Sequence, residues 1–299
     1  MTDLPSVAFH VGAHKTATTH LQRSLAEARG PLAARGVRLW LPADLRGDNP
    51  TLPQALGLPH FRKDLPPVQN VAEVAAGYLA GAERVVFSEE NFIGTLGNRW
   101  GKIDLPVHAR AAPRLTALSD TLAPEGIEVF LAIRKPTAFL NSAFCQAVLG
   151  GRPIPQRKFF AKNPVEGIDW PDLAGRIAGA RGVRHLTVWR YEDYRPLFGA
   201  ICAGLVGPAA AGAVRPVEGL VHTSLSATAV RKLTGWSPLK RSADDPQALR
   251  EAYPVGPEHA PFDHFSAADH DRAGALYDRQ CDLIARMPGV TFLRPDTQG

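Results

Sequence analysis

The chain reads as an α/β protein built on a parallel sheet with helices on both faces, and three observations predict it. Short apolar runs alternate with helix-like stretches, strand then helix, through most of the sequence. The most apolar run, Ile127–Ile133, has the length of a buried strand and is far too short for a membrane span. The opening strand-like segment, Ser6–Val11, leads through a polar turn directly into a helix.

Taken in order, Ser6–Val11 (SVAFHV) is the first strand. A helix starts at Thr18, with Leu21, Leu25, Ala28 and Leu32 near one face until Gly30-Pro31 disturbs it. Residues 36–67 are rich in Pro and polar side chains, which predicts an insertion with little regular structure. Val71–Ala82 is helical in pattern and Arg84–Ser88 (RVVFS) is a short apolar strand. No element is assigned between Glu89 and Gly126. Ile127–Ile133 (IEVFLAI) is the clearest central strand, followed by a helix from Pro136 to about Val148. Gly151–Val165 is a basic, Pro-containing loop. Trp170–Ala180 is helical, Arg184–Arg190 (RHLTVWR) is a strand, and Leu197, Phe198, Ile201 and Leu205 mark an apolar helix face. Thr223–Thr234 predicts one further helix. Trp236–Phe265 has little periodicity and several Pro, Asp and His, which suits a lid or acceptor-binding loop. Ser266–Arg286 is the closing helix, with Ser266 as N-cap and Asp269 at its third helical position, and Val290–Leu293 adds a last strand.

Composition narrows the function classes. At 299 residues, 45% apolar and 21% charged, the chain is expected to form one folded domain over 1–299 with insertions near 36–67, 151–165 and 236–265. A membrane span and a secretory leader are not expected, and a cytoplasmic location is. Cys145, Cys202 and Cys281 are scattered and odd in number, which fits a reducing compartment. There is no CxxC, HExxH or spaced His/Cys set, so no metal is expected. The net charge is +5, and Arg outnumbers Lys 26 to 8. Arg presents a planar fork that suits phosphate and sulfate, so an anionic ligand is a fair expectation. No basic run of five or more occurs and none is interleaved with aromatics, which disfavours nucleic acid.

The segment that carries chemistry is Phe9–Gln22, FHVGAHKTATTHLQ. An apolar strand ends in Gly12, Ala13-His14-Lys15-Thr16-Ala17-Thr18-Thr19 follows, and a helix begins. Such a turn aims successive backbone N–H groups and a helix N-terminus at one spot, which suits a phosphate-like anion. Lys15 adds a mobile charge and the threonine hydroxyls add donors. This is not the Walker A loop GxxxxGK[ST], because His14 stands where that loop has Gly.

Those residues resemble the 5′-phosphosulfate loop of sulfotransferases, particularly bacterial ones with HxGxxKTGTTxLQ. The resemblance implies a P-loop-NTPase-like three-layer fold and 3′-phosphoadenosine 5′-phosphosulfate (PAPS) as sulfuryl donor, bound through Lys15, Thr16, Ala17, Thr18 and Thr19. Ala17 stands where the family commonly has Gly. Because its Cβ disfavours positive φ, an ordinary backbone is expected there. A second block fits the family's 3′-phosphate motif: Arg134 at the end of the central strand and Ser142 eight residues later on the following helix. An Arg fork and a hydroxyl converging on one phosphate distinguish PAPS from ATP. A third, VWRYED (Val188–Asp193), resembles the family's Tyr-Glu-Asp, which implies that Tyr191 lies close to the adenine. Glu192 and Asp193 are expected to cap the next helix and hold Arg side chains. The family's Arg-Lys-Gly element that closes over the nucleotide is missing, and Arg231, Lys232, Lys240 and Arg241 are candidates by charge.

The implied reaction is transfer of a sulfuryl group to an acceptor hydroxyl, with positioning and charge stabilisation doing most of the work, as in phosphoryl transfer. Lys15 is the expected stabiliser of charge on the leaving oxygen. Glu89 is the expected general base, because Ser88-Glu89 follows the Arg84–Phe87 run as a Ser-Glu does in the resembling enzymes. Glu90 is its rival, and a helix- or loop-capping role at Asn91 is the alternative for both. His10, His14, His20 and His108 are further candidate bases but stand outside the matching position. A P-loop kinase or NTPase, with Glu89-Glu90 mimicking a Walker B carboxylate, and a non-catalytic nucleotide-binding relative are the competing functions. The acceptor and the oligomeric state are not legible.

Overall fold

A computed structural model describes residues 4–46, 52, 56, 70–97, 102–150, 154–219, 224–234 and 246–295. Six strands form one sheet: β1 (Ser6–His10), β2 (Val37–Trp40), β3 (Arg84–Ser88), β4 (Ile127–Ile133), β5 (Val183–Arg190) and β6 (Val290–Leu293). Their order is β2-β3-β1-β4-β5-β6 and every pairing is parallel. The helices of eight residues or more are α1 (Thr18–Glu27), α2 (Val71–Leu79), α3 (Ala111–Leu122), α4 (Pro136–Leu149), α5 (Trp170–Ala178), α6 (Tyr194–Val206), α7 (Ala227–Thr234) and α8 (Ala267–Ala285).

Alternation along each strand divides the core in two. Val7, Phe9, Val85, Phe87, Val129 and Leu131 point to one face, where α2–α5, α7 and α8 cover them. Ala8, Val86, Phe130, Ala132 and Trp189 point to the other, against Leu21 and Leu25 of α1 and Leu197, Ile201 and Leu205 of α6. This is a three-layer α/β arrangement, a parallel sheet with helices on both faces.

Several elements differ from the sequence reading. The 36–67 segment is not wholly irregular, since β2 pairs Val37–Trp40 with Arg84–Phe87 and the turn Pro42–Leu45 is helical. Residues 47–51, 53–55 and 57–69 of that insertion lie outside the described residues. α3 fills the unassigned stretch before β4, burying Leu115, Leu118 and Leu122. The loop expected over Gly151–Val165 contains a helix, Gln156–Lys162, that buries Phe159 and Phe160. In the expected lid, Pro246–Ala252 is helical and 235–245 falls outside the described residues. α7 starts at Ala227 rather than Thr223, with Ser226 Oγ accepting from the Ala229 N–H at 3.1 Å.

Because β1 lies between β3 and β4, the chain leaves β1 toward one edge of the sheet and later returns to build the other. The C-terminal ends of β1 and β4 therefore flank the point where strand order reverses, where ligands of open α/β sheets bind. Backbone bonds extend these strands into the loops above: Val11 N to Phe130 O at 3.0 Å, Ala13 N to Ala132 O at 3.1 Å, and Glu89 N to His10 O at 3.1 Å.

Candidate active site

The turn from β1 into α1 is wound through left-handed conformations. Gly12, His14, Lys15 and Ala17 have φ of 48°, 57°, 59° and 62°. Alternation of this kind turns backbone N–H groups toward a common concavity, the geometry of an anion nest. Three of the four are not glycine, and each such residue costs about 1–2 kcal/mol. The ordinary backbone expected at Ala17 is thus corrected: the residue is left-handed despite its Cβ, because it serves as the N-cap of α1 where the turn must reverse. Gly12 has no such option. A Cβ there would meet Thr18 Oγ1 at 2.9 Å and Thr16 Oγ1 at 3.2 Å.

The threonines point inward. Thr16 and Thr18 are buried, and their hydroxyls have no hydrogen-bond partner among the described residues. Thr19 is half-buried at the second position of α1. Gln22, whose side chain donates to the Ser88 carbonyl at 3.2 Å, and His10, bonded to Ser88 Oγ at 2.8 Å, lock the loop's flanks to β3.

Residues far apart in sequence meet over this turn. Arg134 Nη1 donates to the Lys15 carbonyl at 2.9 Å, and its guanidinium lies 4.2 Å from the centre of the Tyr191 ring. The indole of Trp170 donates to the Arg134 carbonyl at 2.9 Å and fixes the end of β4. Ser142 lies half-buried on α4, two turns beyond Arg134. Among the described residues neither Lys15 nor Arg134 makes an ion pair. Burial, and then the nearby Arg134, hold the Lys15 ammonium below its ordinary pKa. Two neighbouring cations, with no ion pair among the described residues, thus stand beside unpartnered hydroxyls and a left-handed turn, an arrangement suited to an anion.

Glu89 is buried just past the end of β3, and its carboxylate is paired on both oxygens. Arg46 donates from Nε and Nη2 at 2.7 Å each, and Asn91 donates from its backbone N at 3.0 Å and Nδ2 at 2.6 Å. Through Asn91 it caps the short 3-10 turn Glu90–Ile93, the alternative role named above. Glu90 lies 3.4 Å from Arg46 Nη2.

Three of the four histidine candidates are buried. His10 packs against Trp189, and burial pushes its pKa down to about 4. His14 stacks on His108, with ring centres 5.1 Å apart; burial lowers both, His108 well below the usual value. His20 is held between Tyr194 Oη at 2.7 Å and the Val217 carbonyl at 3.0 Å, a brace between α1 and α6.

Glu192 accepts from the Lys135 N–H at 2.9 Å and from Tyr277 Oη at 3.2 Å, which ties the turn after β5 to α4 and α8. Asp193 precedes α6 without a capping bond from its side chain and pairs with Arg190 at 3.5 Å. The capping expected of this pair is therefore absent, and their side chains bridge elements instead. Of the closing candidates, Arg231 bonds Thr228 and Lys232 lies over the Tyr253 ring, while Lys240 and Arg241 fall outside the described residues. Arg250, which no sequence signal singled out, is the C-terminal cation whose charge acts on Lys15. Arg46 carried no sequence signal either, because only folding brings it to Glu89. Among the described residues no group of three or more His, Cys, Asp or Glu is placed to hold a metal ion, and no helix is long and apolar enough to cross a membrane.

Neither a family model nor a curated protein matches the chain. Among solved structures it is similar to a sulfotransferase from Alicyclobacillus acidocaldarius, at 15% identity over 73% of this chain and 87% of that chain, with a TM-score of 0.46.

Proposed function

We propose that the protein is a sulfotransferase that takes a sulfuryl group from PAPS and passes it to an acceptor hydroxyl. The observation that carries this is the convergence of three sequence blocks on one point: the Arg134 guanidinium bridges the Lys15 carbonyl and the Tyr191 ring. A 5′-phosphosulfate in the nest would satisfy the loop N–H groups and the Thr16 and Thr18 hydroxyls. A 3′-phosphate would meet Arg134 and Ser142, and the Tyr191 ring would flank the base. Lys15 and the loop N–H groups stabilise the charge that develops on the bridging oxygen as the S–O bond breaks. A Walker-type NTPase is the weaker reading, because Glu89, its stand-in for a Walker B carboxylate, is consumed by Arg46 and Asn91.

Thermal unfolding with 3′,5′-phosphoadenosine, against ATP with magnesium, tests the donor. At a hundred times its dissociation constant the bisphosphate is expected to add about 2.7 kcal/mol without metal. Stabilisation by ATP with magnesium alone would transfer the protein to the kinase class. Arg134→Ala is expected to weaken the bisphosphate by about 1.5–3 kcal/mol and to leave adenosine 5′-phosphosulfate, which lacks the 3′-phosphate, little changed. Equal losses in calorimetric titration would make Arg134 structural.

A further inference from the structure

We propose that the proton of the acceptor hydroxyl is taken by Nδ1 of His14, inside the anion loop itself. This rests on the sulfuryl-transfer function above and names the base of that site.

The first support is that Glu89 is committed to its own neighbours. Three donors crowd its Oε1 and Arg46 Nε holds its Oε2, so the carboxylate serves the Arg46 pair and the short 3-10 turn. The second is the state of His14. Its ring is buried, yet Nδ1 has no partner among the described residues. Burial holds the ring below its usual pKa, so it is neutral and has a lone pair to offer. Third, other buried polar atoms of the groups that face His14 lack a partner among the described residues: Glu90 Oε2 and the ring nitrogens of His108, whose ring stacks on His14. Unsatisfied polar groups gathered beside a cationic loop mark a place for a hydroxyl-bearing group.

The charged and titratable groups that face His14 are Lys15 from its own loop, Glu89 and Glu90 from the turn after β3, and His108 from the segment before α3. Burial outweighs the two carboxylates and keeps the ring neutral at pH 7. In the reaction the acceptor oxygen bonds to sulfur and the bond from sulfur to the phosphate oxygen breaks. That electron pair stays on the phosphate, beside Lys15, and the acceptor's proton ends on His14 Nδ1, to be released to water later.

The test combines ¹⁵N-histidine NMR of the full chain with kinetics of bisphosphate release from PAPS. His14 is expected to be neutral at pH 7 with its proton on Nε2. His14→Asn, which tolerates the left-handed backbone, is expected to bind 3′,5′-phosphoadenosine as the wild type does and to lose 10²–10⁴-fold in turnover. Glu89→Gln is expected to lose less than tenfold and to move the acid limb of the pH–rate profile. A proton on Nδ1, a charged ring at pH 7, or a collapse in Glu89→Gln with His14→Asn unimpaired would each overturn the assignment. If the wild type itself binds no bisphosphate, the donor falls first and the role of His14 with it.

Discussion

At the scale of single residues, the loop is built against local preference. Ala17 carries a φ of 62° where a glycine would carry it free of strain. Ala17→Gly removes the clash of Cβ with the backbone and loosens the unfolded chain, two effects of opposite sign. The net expectation is a gain of about 0.5–1 kcal/mol, read as a higher urea midpoint at constant slope. A loss would mean that the turn is not left-handed in solution. His14 and Lys15 share the same geometry, so the strain falls on successive positions of one turn. Gly12 is different in kind, because both its φ and the neighbouring threonine hydroxyls exclude a side chain.

At the scale of elements, the segment before α8 is stitched to α4. Asp263 Oδ1 accepts from Asn141 Nδ2 at 2.7 Å and from the Phe265 N–H at 3.0 Å. Asp263 Oδ2 accepts from His270 Nε2 at 2.7 Å, and His270 Nδ1 is 2.9 Å from Thr137 Oγ1. His264 packs flat on Phe160, with ring centres 3.7 Å apart. These bonds reach the helix that begins just after Arg134 and carries Ser142. Asp263→Ala leaves the buried Asn141 amide short of an acceptor and is expected to cost about 1–2 kcal/mol. Hydrogen exchange is expected to quicken over residues 260–266 while β1 and β4 stay protected. Unchanged exchange there would show that the aromatic packing holds the segment alone.

At the scale of the whole molecule, buried neutral histidines set the acid limit of stability. The folded-state pKa of His10 is about 4 against 6.5 when unfolded, and His14 and His108 are shifted in the same direction. Between those values the unfolded chain binds more protons than the folded one, so stability rises with pH through the window and is lost on acidification. Each such histidine contributes about 1.4 kcal/mol per pH unit while it is charged only in the unfolded chain. Asp263 and Asp269 are shifted below 3.8, so their own losses come at lower pH. Urea unfolding at pH 7 and pH 5 is expected to show a clear drop at the lower value. A flat profile would mean that the three rings are charged or wet in the native protein.

How much of this was legible follows from how local each signal is. Continuous apolar runs such as Ile127–Ile133 and the capping pair Ser266 and Asp269 announce strand and helix from neighbours alone, and the structure has both where expected. The Gly12–Thr19 turn and the Arg134 block are compact in sequence, so a strand-to-helix turn and an Arg at a strand end were readable as well. β2 was missed because four residues of an edge strand are ordered by pairing with β3, a partner more than forty positions away. α3 carried a signal, Ala111, Leu115, Leu118 and Leu122 on one face, that an apolar-periodicity reading of that stretch would have found. The sequence by itself determined the α/β class, the parallel sheet and the polar turn from the first strand into the first helix. Only the tertiary structure decided that Arg134 meets Lys15 and Tyr191, that Ala17 is left-handed, and that Arg46 and Asn91 occupy Glu89. Those outcomes depend on which strand ends lie side by side and on which donors reach a buried carboxylate, and strand order and burial are properties of the packed chain.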